Sequence, residues 1–161
     1  MKRVASVVLG ALAATACGHP PLLAPTQARV AYVHATPDRL WDALLDVVAE
    51  TGLEATASDR SSWFLRTSER VLKSGAADTM DCGDRGLSGL PGDILVQFTV
   101  LLRPAGDSTG VVVQAWGRRG YLGDQDTDTY PCVSRGKLEG TFFVRLAAAA
   151  TRPEPGRRPE R

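Results

Sequence analysis

The segment 36-TPDRLWDALLDVVAETGL-53 restricts the architecture more than any other part of the chain. Leu40, Trp41, Leu44, Leu45, Val47 and Val48 recur at helical spacing, while Asp38, Asp42, Asp46 and Glu50 mark a wet face. Thr36 is a good N-cap, because its hydroxyl accepts from a free backbone N–H of the first turn. Pro37 suits the first helical position, and Asp38 complements the positive helix end. Gly52 admits the left-handed conformation that stops a helix, with Leu53 placed for the accompanying apolar contact. The spacing predicts a helix over residues 37–51. Its apolar stripe must be buried against a second layer.

Alternating stretches supply that layer. Along residues 29–35, Val30, Tyr32 and His34 face one way, and Ala31 and Val33 the other. Residues 54–58 and 62–69 read as a second strand, in one piece or in two joined through Asp59-Arg60, with Trp63, Leu65 and Thr67 on one face. From Ile94 to Arg103, Val96, Phe98, Val100 and Leu102 share a side. Residues 104–110 read as a turn. Val111 to Arg118 then completes a hairpin, with Val111, Val113 and Ala115 opposed to Gln114 and Trp116. Leu138 to Ala150, with Leu138, Phe142, Val144, Arg145 and Leu146, reads as a second helix. Residues 73–92 and 120–134 are rich in Gly and Asp, lack periodicity, and are expected to be loops. The expected order is β-α-β-β-β-α: an α+β, two-layer domain whose antiparallel sheet is packed by two helices. The length of 161 residues suits one domain, and no internal repeat appears.

The ends of the chain read differently. Lys2 and Arg3 precede an apolar run of residues 4–16, which matches a signal peptide. That run is short of the roughly 20 apolar residues a membrane-crossing helix requires. Ala14-Thr15-Ala16 satisfies the small-x-small rule of ordinary signal peptidase. Ala14-Thr15-Ala16-Cys17 also resembles the lipobox of bacterial lipoproteins, with Ala14 where that family most often has Leu. Both enzymes cut the same bond. The cysteine count separates the two readings, because an exported protein meets an oxidising compartment where a spare thiol is a liability. The chain has three cysteines, Cys17, Cys82 and Cys132. Pairing Cys82 with Cys132 closes a loop of about 50 residues and is the economical bridge; lipid at Cys17 then consumes the odd one. Gly18 stands where enterobacterial lipoproteins retained at the inner membrane carry Asp, so the resemblance implies an outer-membrane anchor facing the periplasm. The expected layout is a signal peptide over 1–16, a Pro-rich tether over 17–27, a domain over 28–150 and a disordered tail over 151–161.

Candidate chemistry is sparse. Without Lys2 and Arg3 the chain carries 17 basic against 18 acidic residues, which argues against nucleic-acid binding. Of two histidines, His19 falls in the tether and His34 in a strand, so no nucleophile–base pair suggests itself. Ser88 fails the GxSxG pattern because Leu90 replaces its last glycine. No HExxH or CxxC is present, and the expectation is a non-enzyme without a cofactor. Asp124, Asp126 and Asp128 begin like a calcium loop, but Thr129 and Arg135 occupy the positions that need Gly and Glu. A looser cation site joined by Asp78, Asp81 or Asp84 is the alternative to a solvated acidic loop. Gly117, Gly120 and Gly123 fit neither a P-loop nor a dinucleotide fingerprint. Arg118 and Arg119, beside Tyr121, are candidates for an anionic ligand or an ordinary surface pair. Trp63 and Trp116 are candidates for a docking face or for core.

Residues 36–69 resemble the repeating unit of accessory lipoprotein C of the β-barrel assembly machinery, written xxxxWxxLxxxLxxxGxxxxxxDxxxGxxxT. Trp41, Leu44, Val48, Gly52, Asp59 and Thr67 fall near those places, and Ser61-Ser62 replaces the Gly after Asp59. The resemblance implies a helix-grip α+β unit that binds proteins. The expected function is a lipid-anchored envelope protein with a protein-interaction or maintenance role; the alternative is a small ligand- or calcium-binding module.

Overall fold

A computed structural model describes residues 30–72, 78–83, 90–122 and 130–152. In chain order the elements are β1 (Val30–Val33), α1 (Pro37–Glu50), β2 (Ala55–Asp59), β3 (Phe64–Thr67), β4 (Arg70–Leu72), β5 (Met80–Asp81), β6 (Leu90–Ala105), β7 (Ser108–Leu122), β8 (Tyr130–Ser134) and α2 (Lys137–Thr151). The α+β class and the antiparallel sheet are as the sequence predicts. The strand count is not: among the described residues eight strands replace the expected four or five, because each expected loop contains strand and β4 forms between the second expected strand and the first loop. Residues 80–81 and 90–92 lie in the first of those loops, and residues 120–122 and 130–134 in the second.

The long β6–β7 hairpin is the spine. Its strands pair from Leu90↔Leu122 to Ala105↔Ser108, so the expected seven-residue turn shrinks to Gly106 and Asp107. Gly106 has φ +65°, a conformation that side chains with a Cβ rarely adopt. Two short strands flank each side of the spine. β3 and β4 line β6 at residues 99–101 and 94–96, while β1 and β8 line β7 at residues 109–112 and 116–119. β2 extends the sheet beyond β3, and β5 extends it beyond β8.

Period two decides the faces. Ile94, Val96, Phe98, Val100 and Leu102 of β6 meet Val111, Val113 and Ala115 of β7 on one face, all buried. Both helices pack there and against each other. α1 contributes Leu40, Trp41, Leu44, Val47 and Val48, and α2 contributes Phe142, Leu146 and Ala150. The Phe98 and Phe142 rings stack with centroids 5.2 Å apart. Leu45, grouped with the apolar set by spacing, faces solvent, as does Val144 of α2.

The α1 caps match their residues. The Thr36 hydroxyl accepts from Arg39 N at 3.4 Å. Gly52, at φ +68°, donates to Ala49 O, and Leu53 N donates to Val48 O, both at 3.0 Å. Those two bonds are the paired 5→2 and 6→1 bonds of a Schellman cap, and Leu53 is buried as that motif requires.

Where the flanking strands break, side chains complete the ladder. Between β3 and β4, Thr67 Oγ1 accepts from Phe98 N at 3.0 Å and donates to Ser68 O at 2.9 Å. Between β1 and β8, Glu139 at the start of α2 accepts from Ala115 N at 3.1 Å and from the Ser134 hydroxyl. The bonds from Phe98 N and Ala115 N satisfy backbone donors at the breaks between the flanking strands, as a folded interior requires.

Candidate functional site

Among the described residues the sheet has one helix-covered face and one open face, and the candidate residues divide between them. Trp63 belongs to the covered side. It ends the β2–β3 turn at φ 56°, and its ring packs edge-on against Trp41 at 5.9 Å. Its carbonyl accepts from Leu102 N at 3.0 Å. Non-glycine residues seldom hold that backbone conformation, and here packing and hydrogen bonding enforce it. Trp63 is therefore a half-buried core residue and not an exposed docking residue.

Trp116 lies on the open face and is 52% exposed. Register places it opposite Gln97 on β6 and Val133 on β8. The adjoining row runs Val71, Leu95, Arg118, Pro131, with Val71 also 52% exposed. Toward the hairpin end, Arg66, Thr99 and Gln114 form a polar row, followed by Phe64, Leu101, Val112 and Val30. Tyr32, 65% exposed, lies over Gly110, where a Cβ would stand 3.3 Å from the tyrosine ring and 3.0 Å from Val30. The face thus combines apolar and aromatic side chains with Arg66, Arg103 and Arg118.

Arg118 and Arg119 do not converge. As neighbours on one strand they point to opposite faces. Arg118 forms a two-pronged pair with Glu69, Nε to Oε1 at 2.8 Å and Nη2 to Oε2 at 2.7 Å. The guanidinium holds the Glu69 carboxyl below its ordinary range, and the carboxylate raises Arg118 in return. Arg119 points to the covered side, opposite Ile94, with its Nε buried and without a hydrogen-bond partner. For Tyr121 the structure places only the backbone, at the end of β7.

Cys82 and Cys132 are joined as a disulfide spanning 50 positions, as the cysteine count predicts. The register Met80↔Ser134, Asp81↔Val133 continues by one step to Cys82 opposite Cys132, so the bridge stands where the next rung of the ladder would fall.

Cys17, His19, Ser88, Asp84, Asp124, Asp126 and Asp128 lie outside the described residues. Asp78 and Asp81 are described, and each faces a cation. Asp78 meets Lys137 at 2.9 Å, whose hydrogen bond lowers the Asp78 pKa, and Asp81 meets Arg135 at 3.3 Å. Among the described residues no three His, Cys, Asp or Glu side chains are grouped to hold a metal ion. His34 is exposed, 3.9 Å from Asp107. No described helix is long and apolar enough to cross a membrane.

From sequence, Trp116 reads as either docking face or core and the cysteines pair, while the neighbours of Trp116 are missed. Val133 lay in an expected loop, and the proximity of Val71 depends on β4 pairing with β6. The available signal was the alternation of Val71 with Arg70 and Leu72, too short for a period to register. Compared with known proteins, the chain matches no family model and no curated protein.

Proposed function

We propose that this chain is an exported lipoprotein, anchored through lipid at Cys17, that acts without catalysis by docking a protein of the cell envelope on the open face of its sheet. The observation that carries the reading is the half-exposed Trp116 among Val71, Leu95 and Val133, on the face opposite both helices. Isolated exposed apolar residues are common on soluble proteins, whereas a contiguous group rimmed by charge marks an interaction surface. Trp, Tyr and Arg are the residue types that dominate binding energy at such surfaces. Arg66 and Arg103 add positive charge beside the Arg118–Glu69 pair, and Asp59 lies in the Phe64 row of the same face, so charged groups of both signs rim the apolar group.

Export is supported by the Lys2-Arg3 and apolar 4–16 leader, and by the disulfide, which forms and persists in oxidising compartments. The lipid assignment rests on Ala14-Thr15-Ala16-Cys17 and on the remaining two cysteines being bonded to each other. The outer-membrane assignment rests on Gly18, and a protein-binding role agrees with the resemblance of residues 36–69 to a protein-binding unit.

Intact mass of the protein isolated from host membranes tests the anchor. The expected result is a chain beginning at acylated Cys17 that fractionates with the outer membrane. An unmodified Cys17, or a retained leader, contradicts it.

A further inference from the structure

The helices do not account for all of the covered face. At its Gly117 end the lid is the segment Asp78–Gly83. Met80 is 2% exposed and reaches across β8 to Gly117, where a Cβ would collide with the Met80 methyl group. The same Cβ would stand 3.2 Å from Cys132 and 3.4 Å from Ile94, so the missing side chain at Gly117 is the slot that Met80 fills. Beneath it lie Ile94 and Val96, fully buried.

The backbone pairing of this segment is short. Its ladder with β8 has two rungs, Met80↔Ser134 and Asp81↔Val133, with a further bond from Arg135 N to Thr79 O at 2.9 Å. A strand pair that short is marginal in water. The Asp78–Lys137 ion pair is exposed on both sides, where attraction is weak, while in Asp81–Arg135 the arginine is exposed and the Asp81 side chain is largely covered. Apart from Met80, which joins the buried cluster, and Lys137, the first residue of α2, these contacts fall on β8 and Arg135 and not on the α1–α2–β6–β7 packing.

We propose that Asp78–Gly83 is a disulfide-latched cover, which reduction of Cys82–Cys132 opens while the helix-backed core stays folded. The step is a thiol–disulfide exchange. A dithiol reductant supplies two electrons and two protons, the S–S bond breaks, Cys82 and Cys132 become thiols, and the reductant leaves as its own disulfide. Opening withdraws Met80 from its slot, uncovers Ile94, and frees the outer edge of β8, whose Val133 adjoins Trp116. The inference does not depend on where the protein resides or what it binds.

Hydrogen exchange of the full-length protein tests it, with the oxidised and dithiol-reduced forms compared under native conditions. Reduction is expected to accelerate exchange at 80–82 and 133–134 by at least about 10-fold, while 40–48 and 96–102 keep their protection. Alkylation then reads the same event at Cys132, buried in the closed form: its rate in the reduced protein should approach that of Cys82. Unchanged exchange at 80–82 overturns the proposal by showing that the bridge is not what holds the cover. Equal acceleration at 40–48 overturns it by showing that the bridge holds the whole domain.

Discussion

Thr67 is fully buried, and its hydroxyl stands where the ladder beside β6 is interrupted. Thr67→Val keeps the shape but leaves the Phe98 N–H without an acceptor. The expected loss is about 1–3 kcal/mol by urea denaturation, with Thr67→Ser retaining most of the stability. Glu139→Ala should cost a similar amount, roughly 1–3 kcal/mol, because Ala115 N and the Ser134 hydroxyl both point to that carboxylate. Asp59 orders the β2–β3 turn by accepting from the Ser61 hydroxyl at 2.7 Å, from the Ser62 hydroxyl at 2.7 Å and from Ser61 N at 2.9 Å. These bonds, led by the Ser61 hydroxyl, lower its pKa from 3.8 to about 2. Because the folded value is depressed, the turn's stabilisation is complete above the ordinary carboxylate pKa and fades as the pH falls toward 2. An NMR titration should place the Asp59 midpoint near 2, and Asp59→Asn should remove this residue's part of the acid-side dependence, leaving that of Glu69 and Asp78. The sequence placed Leu65 and Thr67 on one face correctly. It concealed the second role of Thr67, which depends on where β3 ends relative to β6.

Among the elements, α1 was legible to within a residue because its signals are local: a threonine cap, a proline, a repeating apolar stripe and a glycine stop. The β6–β7 spine was legible from alternation, though its arms run beyond the patterned stretch. β5 and β8 were not legible. A two-residue strand has no period, and Pro131 discourages a strand assignment. The structure tolerates Pro131 because β5 reaches only Val133 and Ser134, leaving β7 as the sole described neighbour at that position. The pairing of these elements carries its own predictions. Gly117→Ala should destabilise the fold by about 1–3 kcal/mol through overpacking against Met80, and Met80→Ala in the same chain should recover much of that loss. Loss of the Cys82–Cys132 bridge should lower unfolding stability by roughly 4 kcal/mol in the chain-entropy account, read as a shift in the denaturation midpoint.

For the whole molecule, the central consequence is that both described helices occupy one face of the sheet, and among the described residues none covers the other. Periodicity and element order revealed the class but not the face, because a half-exposed tryptophan and a core tryptophan look alike in sequence; Trp63 and Trp116 ended on opposite sides of one sheet. Trp116→Ala should therefore change unfolding stability by less than about 0.5 kcal/mol, as surface substitutions do, and still abolish docking. The most direct measurement places a photo-crosslinking phenylalanine analogue at position 116 of the full-length protein in its native envelope, with the same analogue at the exposed helix position Val144 as the control. The account predicts one discrete protein adduct from position 116, absent from position 144 and lost when Arg66 and Arg103 are replaced by glutamate. No adduct at 116, or the same adduct from both positions, would contradict it.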